Sequence, residues 1–180
     1  YLETEHEAVE RHEFHYGKLI KMAGESKNAN KIANNILVEW QKKLRKQGFE
    51  IFTHEVKLEV EKNAIYRYPD LMIASKEDTS DNYLVKKPVL IIEVASKQSF
   101  YNDSIVKRKE YYNIETLDYY LIISQLEVSV ILHIKENSKW QTYFFDDKND
   151  HIKLPNLDIE IALSDMYEGI EFEEEAPPSV

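Results

Sequence analysis

The segment from Pro88 to Ala95, Pro-Val-Leu-Ile-Ile-Glu-Val-Ala, constrains the fold more than any other stretch of the chain. It is short and almost continuously apolar, the pattern of a central strand buried on both faces. Such a strand calls for a sheet with other structure packed on either side of it. One residue breaks the pattern. Glu93 puts a carboxylate where the strand most needs to be apolar, and a buried carboxylate costs several kcal/mol unless its charge is compensated. Either a Lys or Arg pairs with it, or it faces water at the strand end, or it is a metal ligand or acid/base group.

The surrounding pattern supplies the rest of such a sheet. Residues 1–10 read as a short acidic helix, and Arg11 to Ala23 as a hairpin turning at Gly17. Asn28 to Gln47 is the clearest helix, with Ile32, Ile36, Leu37, Trp40 and Leu44 on one face and Gly48 in a C-cap position. Strands are expected near Phe49–Val60 and Ile65–Ala74, with a polar loop at Ser75–Asp81. A second helix follows at Phe100–Asn113, then strands at Leu117–Ile123, Val128–Ile134 and Trp140–Phe145, the last two joined by the turn Glu136-Asn137-Ser138-Lys139. Leu154–Leu163 completes one mixed α/β domain over residues 1–170, with 171–180 as an acidic, flexible tail.

Composition removes several function classes. Among 180 residues there is no cysteine, which excludes disulfide scaffolds, cysteine-ligated zinc, iron–sulfur clusters and thiol catalysis. No apolar run is long enough to cross a membrane, and without a targeting segment the expected location is cytoplasmic. The net charge of −10 is concentrated at the two ends, in Glu3, Glu5, Glu7, Glu10 and Glu13 and again in Glu171, Glu173, Glu174 and Glu175. The interior carries basic clusters such as Lys42-Lys43 with Arg45-Lys46, and Lys107-Arg108-Lys109. Net charge therefore neither requires nor forbids a polyanionic partner.

A second carboxylate stands beside the first in this reading. Asp70, in Tyr68-Pro69-Asp70, opens the apolar stretch Leu71-Met72-Ile73, although Pro-Asp is also an ordinary turn dipeptide. Two neighbouring strands, each with one acid in apolar surroundings, form a site that repels itself unless a cation occupies it. With no cysteine and no histidine pair on a helix face, a hard oxygen-loving ion such as Mg²⁺ fits better than zinc. Asp103, Lys107 and Tyr111 recur at four-residue intervals on one helix face. That spacing suits a surface salt bridge, or a lysine held over the two acids. His12 and His15 flank Glu13 on opposite faces of a strand, and His6, His54, His133 and His151 read as surface or packing residues.

These residues carry a family likeness. Pro69-Asp70 followed by Glu93-Val94-Ala95 resembles the PD-(D/E)XK nuclease superfamily. Arg11-His12-Glu13 leading to Gly17, the run Pro88–Ser96, the Asp103/Lys107/Tyr111 spacing and the closing Leu154-Pro155 to Gly169 segment are similar to the Uma family of restriction-type endonucleases. Two positions depart from the pattern. Ala95 stands where the superfamily motif has Lys, and Ala29 where the family has a His at the start of the long helix. The resemblance implies a restriction-endonuclease-like α/β fold, a mixed central β-sheet flanked by helices. It implies Asp70 and Glu93 as ligands of Mg²⁺ or Mn²⁺, the Val94 carbonyl as a further ligand, and Glu13 in the metal shell directly or through water. Lys107 takes the role of the missing motif lysine, positioning or deprotonating the attacking water. The implied substrate is DNA, and a homodimer is expected because cutting both strands is easiest with two sites. The alternatives are an inactive relative that binds nucleic acid, a hydrolase of another phosphate ester or of RNA, or an interaction domain with structural acids.

Overall fold

The computed structural model describes residues 1–78 and 81–172. In chain order the elements are α1 (Leu2–His6), β1 (His12–His15), β2 (Lys18–Lys21), α2 (Lys27–Lys46), β3 (Phe49–Thr53), β4 (Lys57–Glu61), β5 (Ile65–Arg67) and β6 (Leu71–Ser75). There follow β7 (Leu84–Val85), β8 (Pro88–Ala95), a π-helical segment (Asn102–Lys107) running into α3 (Arg108–Tyr111), β9 (Tyr119–Ser124), β10 (Val130–Glu136) and β11 (Lys139–Phe145). β12 (His151–Leu154), a 3₁₀ turn (Pro155–Leu157), β13 (Ile159–Ala162) and α4 (Leu163–Met166) close the chain.

The Pro88–Ala95 run is the inner strand β8 of a six-stranded sheet ordered β11-β10-β9-β8-β6-β3. It pairs parallel to β9 and antiparallel to β6, so the sheet is mixed. Alternation sends its side chains to two different cores. Leu90, Ile92 and Val94 join Leu71, Ile73, Leu121 and Ile123 under α2, whose Ile32, Ile36, Trp40 and Leu44 form the apolar stripe. Trp40 Nε1–H donates to the Glu160 carbonyl at 3.1 Å, tying α2 to β13. Ile91 and Ala95 point the other way, into a core shared with Met72, Ala74, Tyr120, Ile122, Tyr111 of α3 and Leu58 of β4. This is a mixed α/β, restriction-endonuclease-like architecture.

The expected hairpin at Gly17 and the turn at Asn137-Ser138 both form. His15 pairs with Lys18, and Glu136 with Lys139, which leaves two-residue loops. In each loop both residues have positive φ: 45° at Tyr16, 86° at Gly17, 48° at Asn137 and 64° at Ser138. That is the twist-matched hairpin turn that favours Gly and Asn.

Each of the two long strands expected over Phe49–Val60 and Ile65–Ala74 is instead broken in two. β3 and β6 belong to the six-stranded sheet, whereas β4 and β5 belong to a second sheet ordered β2-β1-β5-β4-β7. The breaks fall at His54-Glu55-Val56 and at Tyr68-Pro69-Asp70. Pro69 cannot donate to a ladder, and His54 has a φ of 46°, so both strands leave one sheet and enter the other at the same level. A cleft of about 720 Å³ opens at that corner.

One other expectation changes. The Phe100–Asn113 helix contains the π-helical segment Asn102–Lys107. The Phe172 ring packs near Tyr167 at 5.8 Å, and the remainder of the expected tail, 173–180, lies outside the described residues.

Candidate active site

Asp70 immediately precedes β6, and the register that places Leu71 opposite Ile92 brings Asp70 opposite Glu93 on the neighbouring strand. Directly opposed residues of an antiparallel pair share a face. Here it is the face of Met72, Ile91 and Ala95, beneath α3. Asp70 is anchored by its Oδ2, which accepts the Val94 N–H at 2.6 Å. Burial pushes its carboxyl up to about 6, against the Val94 N–H, Lys107 and the neighbouring His54, which pull it down.

Glu93 is 3% exposed. Its Oε1 accepts the Tyr111 hydroxyl at 2.7 Å and lies 3.1 Å from Lys107 Nζ. Burial raises its pKa well above the ordinary carboxylate range, with Lys107 opposing and Asp103, Asp70 and Glu13 adding to the shift. Lys107 Nζ is also 3.3 Å from Asp103 and 3.5 Å from Glu13. Burial alone would lower its pKa, but Glu93, Glu13, Asp103 and Asp70 together raise it. The ammonium therefore stays protonated at neutral pH.

The π-helical segment aligns these groups. In an α-helix, side chains four apart drift by about 40° per step, so Asp103 and Tyr111 would be well out of line. The wider turn over Asn102–Lys107 takes up an extra residue and keeps Asp103, Lys107 and Tyr111 turned toward one strand. Lys97, the lysine nearest to Glu93 in sequence, is exposed and does not line the cleft.

Behind Glu13 lies a charge network that sequence reasoning missed. Arg67 is 2% exposed; its Nη1 donates to Glu13 Oε2 at 2.7 Å, and its Nε and Nη2 grip Glu110 at 2.9 and 2.7 Å. His15 Nε2 lies 3.2 Å from Glu110 as well. The one sequence signal was a cation inside the apolar stretch Ile65-Tyr66-Arg67-Tyr68. His54 was read as a surface or packing residue. It stands instead at the mouth of the cleft, with Nδ1 3.8 Å from Asp70 and 3.5 Å from Glu25. Glu13, Asp70, Glu93, Val94, Asp103 and Lys107 thus all line one cleft. Four carboxylates surround one ammonium there, so a proton or a further cation has to relieve them.

A family model described as "Putative restriction endonuclease" matches residues 1–164. The chain belongs to the Uma2 family. Two Synechocystis sp. proteins are similar to it. The uncharacterized protein sll1609 is 34% identical over 128 residues, 69% of this chain and 72% of that one. Another, slr1290, is 25% identical over 174 residues, 96% of this chain and 91% of its own. A crystal structure from Anabaena variabilis, described as a "putative nuclease", superposes with a TM-score of 0.68 at 14% identity. It covers 89% of this chain and 91% of its own, a likeness of fold. Among the described residues of this Uma2 chain, no helix is long and apolar enough to cross a membrane.

Proposed function

We propose that the protein is a divalent-cation-dependent endonuclease that hydrolyses DNA phosphodiester bonds in this cleft. The observation that carries the reading is the opposed pair of half-buried Asp70, just before β6, and buried Glu93 on β8, with Lys107 Nζ 3.1 Å from Glu93. The donor set suits Mg²⁺ or Mn²⁺: two carboxylates whose charge burial disfavours, in a cleft that Val94 also lines, whose carbonyl would be a further ligand. Glu13 would complete the shell directly or through water. Such an ion, when bound, would polarise the phosphodiester and lower the pKa of a water molecule.

The chain's own residues do the rest. Tyr111 fixes the rotamer of Glu93 through the 2.7 Å hydrogen bond to Oε1. Arg67 fixes Glu13 in the same way, and Asp103 and Glu13 hold the Lys107 ammonium from two sides. Because Lys107 is held protonated, it acts as a donor: it orients the attacking water and offsets charge developing on the phosphorane.

The test is cleavage of supercoiled plasmid. Nicked or linear product with Mg²⁺ or Mn²⁺, absent with EDTA and absent in Asp70→Asn, supports the reading. Salt-sensitive DNA binding without cleavage under any divalent ion would make the protein an inactive, nucleic-acid-binding relative.

A further inference from the structure

We propose that Glu25, His54 and Asp70 form a second cation site at the mouth of the cleft, for a divalent metal that accepts nitrogen, with Zn²⁺ ahead of Mg²⁺. One ligand atom from each residue lies within 4.8 Å of the other two. His54 Nδ1 is 3.5 Å from Glu25 Oε1 and 3.8 Å from Asp70 Oδ1. Those separations are long for N–H···O hydrogen bonds. The 3.5 Å pair is close to the about 3.4 Å that separates two donors on one tetrahedral ion with bonds of about 2.0–2.2 Å, and the 3.8 Å pair would draw in by a few tenths of an ångström on binding.

Both carboxylates are held by their other oxygens. Asn30 Nδ2 donates to Glu25 Oε2 at 3.1 Å, and the Val94 N–H donates to Asp70 Oδ2 at 2.6 Å. Glu25 Oε1 and Asp70 Oδ1 therefore face His54 with no hydrogen bond of their own among the described residues. Supporting groups that fix a ligand while leaving its other oxygen free are what orient metal sites. The backbone holds the third ligand: the His54 N–H donates to the Asp70 carbonyl at 3.2 Å, and a φ of 46° turns the residue into the cleft. The ring's Nε2 is buried with no hydrogen-bond partner among the described residues, so Nδ1 is the nitrogen that faces the two carboxylates.

Charge points the same way. Seven carboxylates and three lysine or arginine side chains line the cleft, and Lys21 and Arg11 are already engaged by Glu10 and Glu55. One divalent ion at Asp70 and Glu93 leaves the lining negative, and a second brings it to neutrality before a polyanion enters. An imidazole nitrogen in the set favours Zn²⁺ over Mg²⁺.

The site shares Asp70 with the nuclease reading, and its charge argument rests on an ion at Asp70 and Glu93, but it is tested without cleavage. Calorimetric titration of the whole chain with Zn²⁺ should show a site whose affinity falls at least about tenfold in Glu25→Gln and in His54→Gly. Glycine tolerates the positive φ at 54, and Glu25 is a surface residue, so both variants keep the fold. Glu93→Gln should retain Zn²⁺ binding, and Mg²⁺ affinity should be unchanged in Glu25→Gln. In wild type, Zn²⁺ should also shift the His54 imidazole ¹⁵N resonances. No Zn²⁺ binding, or binding unaffected by both variants, overturns the proposal. Loss of Zn²⁺ only in Glu93→Gln would place the ion on the deeper pair and overturn it equally.

Discussion

Lys107 lies within 3.5 Å of three carboxylates, so replacing it separates charge balance from chemistry. Lys107→Ala should abolish plasmid cleavage while leaving calorimetric Mg²⁺ binding within a fewfold of wild type. Lys97→Ala should cleave normally, because Lys97 is exposed and away from the cleft. The reverse pattern would move the catalytic lysine to position 97. Arg67 has the opposite character: it touches no cleft space and holds two buried carboxylates. Arg67→Met removes the guanidinium from Glu13 and Glu110, leaving them only Lys107 at 3.5 Å and His15 at 3.2 Å, and urea denaturation should show a loss of roughly 3 kcal/mol at neutral pH.

At the scale of elements, the β1–β2 hairpin presents Glu13, and its turn depends on Gly17. Nothing lies within 4 Å of a Cβ added at Gly17, so substitution there meets only the backbone cost of its φ of 86°. Gly17→Ala should therefore cost about 1–2 kcal/mol in denaturant melts, with Gly17→Asn costing less. Elements fixed by local chemistry were legible in the sequence: the Gly17 and Asn137-Ser138 turns, the apolar stripe of α2 and the buried strand β8. The breaks between β3 and β4 and between β5 and β6 were not. Pro69 hinted at one, but His54 takes a left-handed conformation with no Gly or Pro nearby to announce it. The same limit hid the partners. Arg67 meets Glu110 across 43 residues, and His54 meets Glu25 across the corner between two sheets. Asp70 and Glu93 stood out because each is a charge within or beside an apolar pattern, and Lys107 because it recurs at four-residue spacing with Asp103 and Tyr111. The π-helical segment left no mark in the spacing, since its residues still recur every four positions.

Across the whole molecule, the buried acids couple stability to pH. The Asp70 carboxyl, raised to about 6 by burial from an ordinary 3.8, binds its proton more tightly in the folded chain than in the unfolded one. That contribution is complete below pH 3.8 and is lost as pH rises through about 6, a swing of about 3 kcal/mol. Glu93, also raised, adds in the same direction. In EDTA, the melting temperature should carry a component that falls between about pH 4 and about pH 6. Saturating Mg²⁺ should flatten it, because the ion binds the ionised carboxylates of the folded state alone. Identical pH slopes with and without the ion would show that the acids do not hold it.

The most direct measurement is anomalous scattering from crystals soaked in Mn²⁺. A peak is expected within bonding distance of both the Asp70 and Glu93 carboxylates, with Lys107 beside it. No peak between those two groups, with Lys107 still bound to Glu93, would contradict the account.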